Sequence, residues 1–372
     1  MILERIHSFD FMKGFAIIIV VFFHTMSHNA ESQSEYGNLL LYVFPRFIIP
    51  FFFIVSGYLF GMKIKNRINQ TVYFKSYTLK LIKIFISWHL LYLIYDFMME
   101  ILYSLYKGAD LKTVMEEFVV SNLNLEVIYY GEASASYHLW FLTALIWSII
   151  ILYIFIKFGR LKYLFVISLM LNILGLFGQT YSGIFYLSVE TMDALFLGLF
   201  YTTAGCFIAY HIEKFKRYLF KMSTSFIFFL FILSSFIQMI ESYITVVQLD
   251  GTRGGVGYYL STIPLTLSLF MLLIKNSPFG KRSIVTFIGR NTLGIYLTHM
   301  IFVGLAYYVI HFLNMEGLRK YFIFNLLLSV MIIALSHYSY LFIQACKNKV
   351  LYLNKNISSR KGLFAITKRA AG

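Results

Sequence analysis

Charged residues are scarce in this chain. Asp, Glu, Lys and Arg make up only 13% of its 372 residues, whereas 59% of the residues are hydrophobic. A soluble domain of this length exposes far more charge, so the composition excludes a soluble protein and predicts an integral membrane protein. The apolar runs are continuous and do not alternate with polar residues, which excludes a membrane β-barrel and favours an all-α, polytopic bundle.

Cysteine is scarce as well, since the chain contains only Cys206 and Cys346, in separate apolar runs. Two isolated thiols provide neither a disulfide scaffold nor a metal framework, and they are typical of packing inside a membrane. The net charge of +15 raises the question of nucleic acid, but the basic residues fall in short segments between the apolar runs. That distribution is the positive-inside pattern of membrane proteins, so we expect no nucleic-acid partner.

Ten apolar runs predict ten transmembrane helices. The runs cover approximately residues 9–28, 39–62, 79–105, 137–157, 161–178, 193–212, 219–245, 258–275, 291–313 and 321–345. With both termini in the cytoplasm, 26 Lys and Arg residues fall on the inner side and five on the outer side, which predicts this orientation. The first run has few basic residues before it and no small-residue cleavage site, so it is predicted to be a retained helix and not a signal peptide.

Two segments outside these runs differ in character. The longest outer segment, about residues 106–136, is either a small extracytoplasmic cap or a solvated loop. Residues 346–372 form a basic tail, which we predict to be cytoplasmic and to contact anionic headgroups of the lipid bilayer. Residues 1–345 then form a single transmembrane domain.

Ionisable side chains inside apolar runs mark functional sites, because burying them in lipid costs free energy. In the first run, Asp10, Lys13, His24 and His28 fall on one helical face at about 100° per residue. Asp10 and His24 are about 21 Å apart at ~1.5 Å per residue, which is most of a bilayer core. His24 and His28 have metal-ligand spacing, but no compelling further ligand lies near them in the sequence, so we expect no metal.

Depth along the spans separates the embedded polar residues into two sets. The outer set mixes acids, histidines and an arginine: His24, His28, Arg46, Asp96, Glu100, His138, Asp193 and Glu241. The inner set is mostly cationic: Arg5, Asp10, Lys13, Lys80, Lys83, Arg290 and Asn291. The outer set suits proton chemistry on a polar acceptor, and the inner set suits an anion arriving from the cytoplasm. We therefore expect an internal cavity in which two substrates meet.

Four sequence blocks follow one another along the chain. They are Arg5-x4-Asp10-x2-Lys13-Gly14 followed by His24, PFFFIVSGYL at 50–59, HLWFL at 138–142 and GRNTLGIYLTH at 289–299. In this order, and within ten spans, the blocks resemble those of membrane-bound acyltransferase family 3, whose members O-acylate sugars and other exported molecules. The resemblance covers roughly residues 1–345 and implies a bacterial inner (plasma) membrane protein.

The chain departs from the family pattern in its cations. Lys13 stands where family members commonly have Arg, and the third span begins KSYTLKLIK, with Lys75, Lys80 and Lys83, where the family is Arg-rich. Lysine keeps the positive charge but loses the bidentate fork that grips phosphate. Some family members also carry a soluble esterase-like domain, and here we expect the membrane domain alone.

The resemblance implies transfer of an acetyl group from acetyl-CoA to a hydroxyl of a surface polysaccharide or lipid-linked glycan. An imidazole titrates near neutral pH, so we expect His24 to be the general base, with Arg46 binding the oxyanion or the acceptor. We expect Asp10 to pair with Arg5 or Lys13, and the donor to bind at Arg5, Asp10, Lys13, Lys80, Lys83 and Arg290. For the acceptor and the acyl channel, the predicted residues are Asp96, His138, Trp140, Tyr296 and His299.

Several alternatives remain open at this level. An embedded cavity of mixed charge also suits a transporter or flippase of a glycan precursor. A non-catalytic partner of a polysaccharide synthase, or an enzyme using succinyl or longer acyl groups, fits the same pattern. Ser56 and Gly57 are interpreted as a close helix contact, with a nucleophilic Ser56 as the alternative. The acceptor, a covalent intermediate and the oligomeric state are not determined by the sequence.

Overall fold

The computed structural model describes residues 5–26, 44–108, 110–122, 126–131, 134–249 and 257–370, and within these ranges the chain forms helices and turns but no strand. This confirms the all-α prediction. The helices are α1 (His7–Thr25), α2 (Ile48–Lys65), α3 (Gln70–Lys107), α4 (Leu111–Asn122), α5 (Glu126–Tyr130), α6 (Trp140–Lys157), α7 (Leu161–Gly175), α8 (Leu199–Tyr210), α9 (Ile212–Lys221), α10 (Thr224–Tyr243), α11 (Thr262–Lys275), α12 (Ile284–Arg290), α13 (Thr292–Phe312) and α14 (Phe322–Ala370).

Eight helices in the described ranges are long and apolar enough to cross a membrane. They involve α1, α2, α3, α6, α7, α10, α13 and α14. A ninth span arises if α8 and α9 count together, although the chain bends by 89° between them. Each of the ten predicted runs contains a helix, which confirms the multi-pass membrane protein. The run 258–275 forms only the 14-residue helix α11, shorter than a full span.

The helix ends differ from the predicted ones at several places. Residues 39–43 of the second predicted run lie outside the described residues, and that run is helical from a 3-10 turn at Phe44–Phe47 onward. At the C-terminus, α14 continues to Ala370 without a break at residue 345. The basic tail therefore begins inside a helix, and its contact with lipid headgroups stays a prediction.

The long outer segment contains two short helices, and α5 is tied to other parts of the chain. The Tyr129 hydroxyl donates to the Asp193 carboxylate at 2.6 Å. The Trp147 indole on α6 donates to the Ile128 carbonyl at 3.1 Å. These bonds anchor α5, whereas most side chains of α4 are exposed.

The chain divides into two compact units. The first contains the described residues up to Ile19 and from Phe44 to Arg290, and the second contains Val20–Met26 and the residues from Asn291 onward. Helix α1 therefore contributes residues to both units. In the second unit α13 packs on α14, where the Thr298 hydroxyl donates to the Ser336 carbonyl at 3.2 Å.

Glycines on α2 and α8 bring two backbones of the first unit together. A Cβ atom on Gly57 would lie 1.9 Å from the Thr202 carbonyl oxygen, and one on Gly205 would lie 2.0 Å from the Ile54 carbonyl oxygen. Lipid tails are as apolar as the helix surfaces, so close van der Waals packing at small residues is a main source of helix association. The predicted close helix contact at Gly57 is confirmed.

Glu241, one of the predicted outer polar residues, has a structural role. Its carboxylate accepts hydrogen bonds from the Tyr181 hydroxyl at 2.6 Å and from the backbone amides of Leu260 and Ser261 at 2.7 and 2.9 Å. A carboxylate at backbone amides just before α11 is favoured by the dipole of that helix. Glu241 thus ties the end of α10 to the start of α11.

We expect Gly57→Ala to lower the free energy of unfolding by about 3 kcal/mol, the upper end for overpacking, because backbone atoms cannot rotate away from the new methyl group. The measurement is the thermal unfolding midpoint of the purified protein in detergent. Gly317→Ala is the matched control, since a Cβ atom there meets nothing within 4 Å. Equal midpoints for the two variants would contradict the close contact.

Candidate functional site

A charged cluster lies at the start of α1, in the first unit. Arg5 Nε donates to Asp10 Oδ2 at 2.6 Å, and Lys13 Nζ lies 3.7 Å from Asp10 Oδ1. Asp10 is only 8% exposed. The predicted pairing of Asp10 with its neighbouring cations is confirmed, and the carboxylate holds two cations that would otherwise repel each other.

A second glycine contact brings α12 against the same turn of α1. A Cβ atom on Gly14 would lie 1.9 Å from the Val285 carbonyl oxygen, and one on Gly289 would lie 1.7 Å from the Asp10 carbonyl oxygen. Arg290 follows Gly289 directly and has an exposed side chain. Two of the four sequence blocks therefore meet here, and positive charge exceeds negative charge at their junction.

The start of α1 is held in place by contacts with other helices of the first unit. The Ser8 hydroxyl donates to the Leu273 carbonyl at 2.5 Å. The rings of Phe9, Phe270 and Tyr58 pack against one another, with centroid distances of 5.4 Å for Phe9–Phe270, 5.8 Å for Phe9–Tyr58 and 5.5 Å for Tyr58–Phe270. These buried contacts fix the position of Asp10 and its partners.

Two further cations predicted for the donor site lie on the surface of α3, in the first unit. Lys80 and Lys83 have exposed side chains on α3. Arg46 lies in the 3-10 turn before α2, is half-buried, and interacts electrostatically with the phenol of Tyr259. The functional roles predicted for these three residues stay predictions.

A polar and aromatic cluster joins α3 to the turn before α6. The ring of His138 lies edge-on to that of Tyr92, with centroids 5.1 Å apart, and the Ser136 hydroxyl is 3.4 Å from His89 Nδ1. Asp96 lies one helical turn after Tyr92, and both side chains are buried. Asp96 was predicted as an acceptor residue, but its link to His89 was missed. The spacing of 89, 92 and 96 along one helical face was the signal that links them.

Trp140, the remaining predicted acceptor residue of the first unit, is the first residue of α6. Its ring centroid is 6.5 Å from that of Phe53 on α2. The side chain is half-buried, so part of the indole surface is open for stacking. Its contact with a sugar stays a prediction.

In the second unit, His24 and His299 lie side by side. Their ring centroids are 5.3 Å apart with an interplanar angle of 46°. His299 is fully buried, His24 is half-buried, and the Tyr296 ring lies 6.3 Å from that of His299. The sequence analysis named both histidines, but nothing in the sequence indicated that they are neighbours.

The hydrogen bonds of His299 define its tautomer. Its Nδ1 atom lies 2.8 Å from the Tyr296 carbonyl oxygen and 3.1 Å from the Ile295 carbonyl oxygen. A carbonyl oxygen only accepts hydrogen bonds, so Nδ1 carries the proton. In the neutral ring, Nε2 then carries the lone pair.

Tyr307 and Arg319 complete this part of the second unit, and sequence reasoning missed both. The Tyr307 hydroxyl donates to the His24 carbonyl, which lies in the last turn of α1 where helical partners run out. The Arg319 guanidinium lies 4.1 Å from the Tyr307 ring centroid. Nearby, the pKa of the Glu316 carboxyl is lowered by the backbone amide of Glu316 and by the His311 ring at 2.7 Å.

No group of three or more His, Cys, Asp or Glu side chains in the described ranges is arranged to hold a metal ion. His28, which has metal-ligand spacing from His24, lies outside the described residues.

Comparison with known proteins identifies the family. Residues 6–359 match the sequence profile described as "Acyltransferase domain", that of acyltransferase family 3. The chain belongs to acyltransferase family 3. The match includes Asp10, Lys13, His24, Arg290 and His299, so both the charged cluster of the first unit and the histidine pair of the second are parts of an acyltransferase domain.

A more distant likeness exists to an amino-acid racemase of Enterococcus faecalis. That protein is 27% identical over 217 residues, which are 55% of the acyltransferase chain and 27% of the racemase. The chain thus spans about a quarter of the length of this curated relative. The likeness therefore indicates neither the activity nor the substrates of the chain. No solved structure matches the chain.

The charged cluster at the start of α1 is expected to act as one coupled unit. Asp10→Asn should lower the free energy of unfolding by about 1–3 kcal/mol, because it leaves partly buried cations without their carboxylate, discounted for the exposure of Arg5. Adding Lys13→Met should recover part of that loss. Thermal unfolding of the two single variants and the double variant measures the coupling.

Glu117→Gln is the matched control, because that carboxylate is exposed on α4. It should leave the unfolding midpoint unchanged. Strictly additive losses in the Asp10 and Lys13 variants would show that the ion pair contributes nothing.

Proposed function

We propose that this acyltransferase moves an acetyl group from acetyl-CoA to a hydroxyl of a surface polysaccharide or lipid-linked glycan at the bacterial inner membrane. The observation that carries the proposal is the His24–His299 pair, with ring centroids 5.3 Å apart within the family's matched region. An imidazole inside an apolar span is costly and is retained where it does chemistry. Acyl transfer to a hydroxyl requires a base of this kind.

His24 is the proposed base. Its unprotonated nitrogen takes the proton of the acceptor hydroxyl as the oxygen attacks the thioester carbonyl. The carbon–sulfur bond then breaks, and His24 returns the proton to the departing sulfur, so that coenzyme A leaves as the thiol and the new ester remains on the acceptor. For Arg46 we propose binding of the oxyanion or of the acceptor.

The charged cluster of the first unit is the proposed donor-binding surface. Coenzyme A is a polyanion. The three positive charges of Arg5, Lys13 and Arg290 outnumber the single negative charge of Asp10. Asp10 contributes by holding Arg5 and Lys13 in place, at 2.6 and 3.7 Å. Lys80 and Lys83, which are exposed cations on α3, are also proposed to bind the donor.

The acceptor is proposed to contact the remaining predicted residues. Sugars present both hydroxyl groups and apolar ring faces, which suit a mixture of acids, imidazoles and aromatic rings. Asp96, His138 and Trp140 provide these groups in the first unit, and Tyr296 and His299 in the second. Membership of acyltransferase family 3 favours the enzyme over the transporter alternative.

The central test is release of coenzyme A from acetyl-CoA by purified protein, with a lipid-linked glycan fraction as acceptor. We expect acceptor-dependent release by the wild type and a loss of about 10²–10⁴ in kcat for His24→Ala, the range for removal of a general base. His211→Ala is the control, because it removes an exposed histidine at the end of α8 and should leave kcat unchanged. Succinyl-CoA in place of acetyl-CoA tests the length of the acyl group.

Full activity of His24→Ala would show that another group takes the proton. If the wild type released coenzyme A only from succinyl-CoA, the acetyl assignment would be wrong while the enzyme class stood. If acetyl-CoA bound but no release occurred with any glycan fraction, the glycan acceptor would be wrong.

A second test concerns the donor-binding surface. Lys13→Gln should raise KM for acetyl-CoA about tenfold, which corresponds to ~1.4 kcal/mol, and should leave KM for acetyl-pantetheine unchanged, because acetyl-pantetheine has no phosphates. Lys107→Gln, at the C-terminal end of α3, is the control and should change neither KM value. Equal increases for both donors would show that Lys13 does not bind phosphate.

A further inference from the structure

We infer that His299 is the positioning residue of His24: during acyl transfer its Nε2 accepts a hydrogen bond from the His24 ring and stabilises the imidazolium that forms there. The inference rests on the proposed function, since it assumes that His24 is the base. In catalytic triads a third group orients the base, and that group is usually a carboxylate. Here a neutral imidazole with a fixed tautomer takes the place of the carboxylate.

The tautomer of His299 is set by its own helix. The Nδ1 proton of His299 is bound to carbonyl oxygens three and four residues earlier on α13, at 2.8 and 3.1 Å. The ring therefore offers a lone pair at Nε2 and no second proton.

The His299 ring lies beside that of His24. The two ring centroids are 5.3 Å apart at 46°, so a turn of the half-buried His24 ring brings one of its N–H groups to His299 Nε2, and such bonds commonly tighten only in the reacting complex. If the His24 N–H donates to His299 Nε2, the other nitrogen of His24 must carry the lone pair. That is the state in which His24 accepts a proton from a hydroxyl.

Both ends of this arrangement are held. His299 is fully buried and bonded to its own helix. The backbone of His24 is fixed by the Tyr307 hydroxyl, which donates to its carbonyl, and the Tyr307 ring is covered by the Arg319 guanidinium at 4.1 Å. A base with a fixed backbone beside a rigid neighbour loses little freedom when the acceptor arrives.

The experiment compares His299→Leu, which removes the acceptor nitrogen, with His299→Gln, which keeps a polar acceptor of similar reach. We expect His299→Leu to lower kcat about 10²-fold with KM for acetyl-CoA unchanged, and His299→Gln to recover part of that loss. His337→Leu is the matched control: it removes another buried histidine of the second unit, on α14, and should leave kcat unchanged.

A double variant separates positioning from a general effect on the fold. Because His299 acts through His24, adding His299→Leu to His24→Ala should cause no further loss of activity. An additional loss as large as that caused by His299→Leu alone would overturn the inference. So would full activity of His299→Leu in a protein that depends on His24. If His24→Ala were itself fully active, the base assignment would fail first, and the inference with it.

A spectroscopic measurement keeps the test independent of the folding of the leucine variant. In wild-type protein labelled with ¹⁵N-histidine, the His299 signal is assigned by its loss in His299→Gln. We expect the Nδ1-protonated tautomer, with Nε2 unprotonated. A signal showing protonation at Nε2 and a bare Nδ1 would overturn the inference whatever the kinetics.

Discussion

Direct contact between helix backbones is the constraint on which the rest of the first unit depends. Between helices in lipid there is no hydrophobic driving force, so segments associate through close packing of small residues. Gly14 and Gly289 allow α1 and α12 to meet backbone to backbone, and Gly57 and Gly205 do the same for α2 and α8. Two of the matched sequence blocks contain Gly14 and Gly289, so these glycines place the charged residues beside them.

The cost of charge in a membrane accounts for the charged cluster at the start of α1. Asp10 is 8% exposed, which would be unfavourable for a lone carboxylate, and its two cations offset that cost. The same bonds fix the direction of Arg5 and Lys13. An excess of positive charge held in this way is prepared to bind an anion without first reorganising, which is the main saving available to a binding site.

The sequence predicted the parts of this structure that depend on local spacing. Each apolar run contains a helix, and Asp10 pairs with Lys13 because three residues make nearly one helical turn. Hydropathy measures apolar length and not breaks, so it did not show the bend of 89° after Tyr210 or the shortness of α11. The neighbours His24 and His299 lie far apart in the chain, and no periodicity connects them. Tyr307 and Arg319 were missed for the same reason.

A neutral imidazole beside His24 is consistent with chemistry carried out in an apolar setting. A carboxylate as orienting group would have to be buried with its charge, and its desolvation would offset much of what it gives to the imidazolium. His299 avoids that cost, because the carbonyl oxygens of its own helix set its tautomer without any charge. The resulting base is weaker than one backed by a carboxylate. A thioester needs less assistance than an amide, because a thiolate is a good leaving group, so a weaker base is sufficient for the proposed transfer.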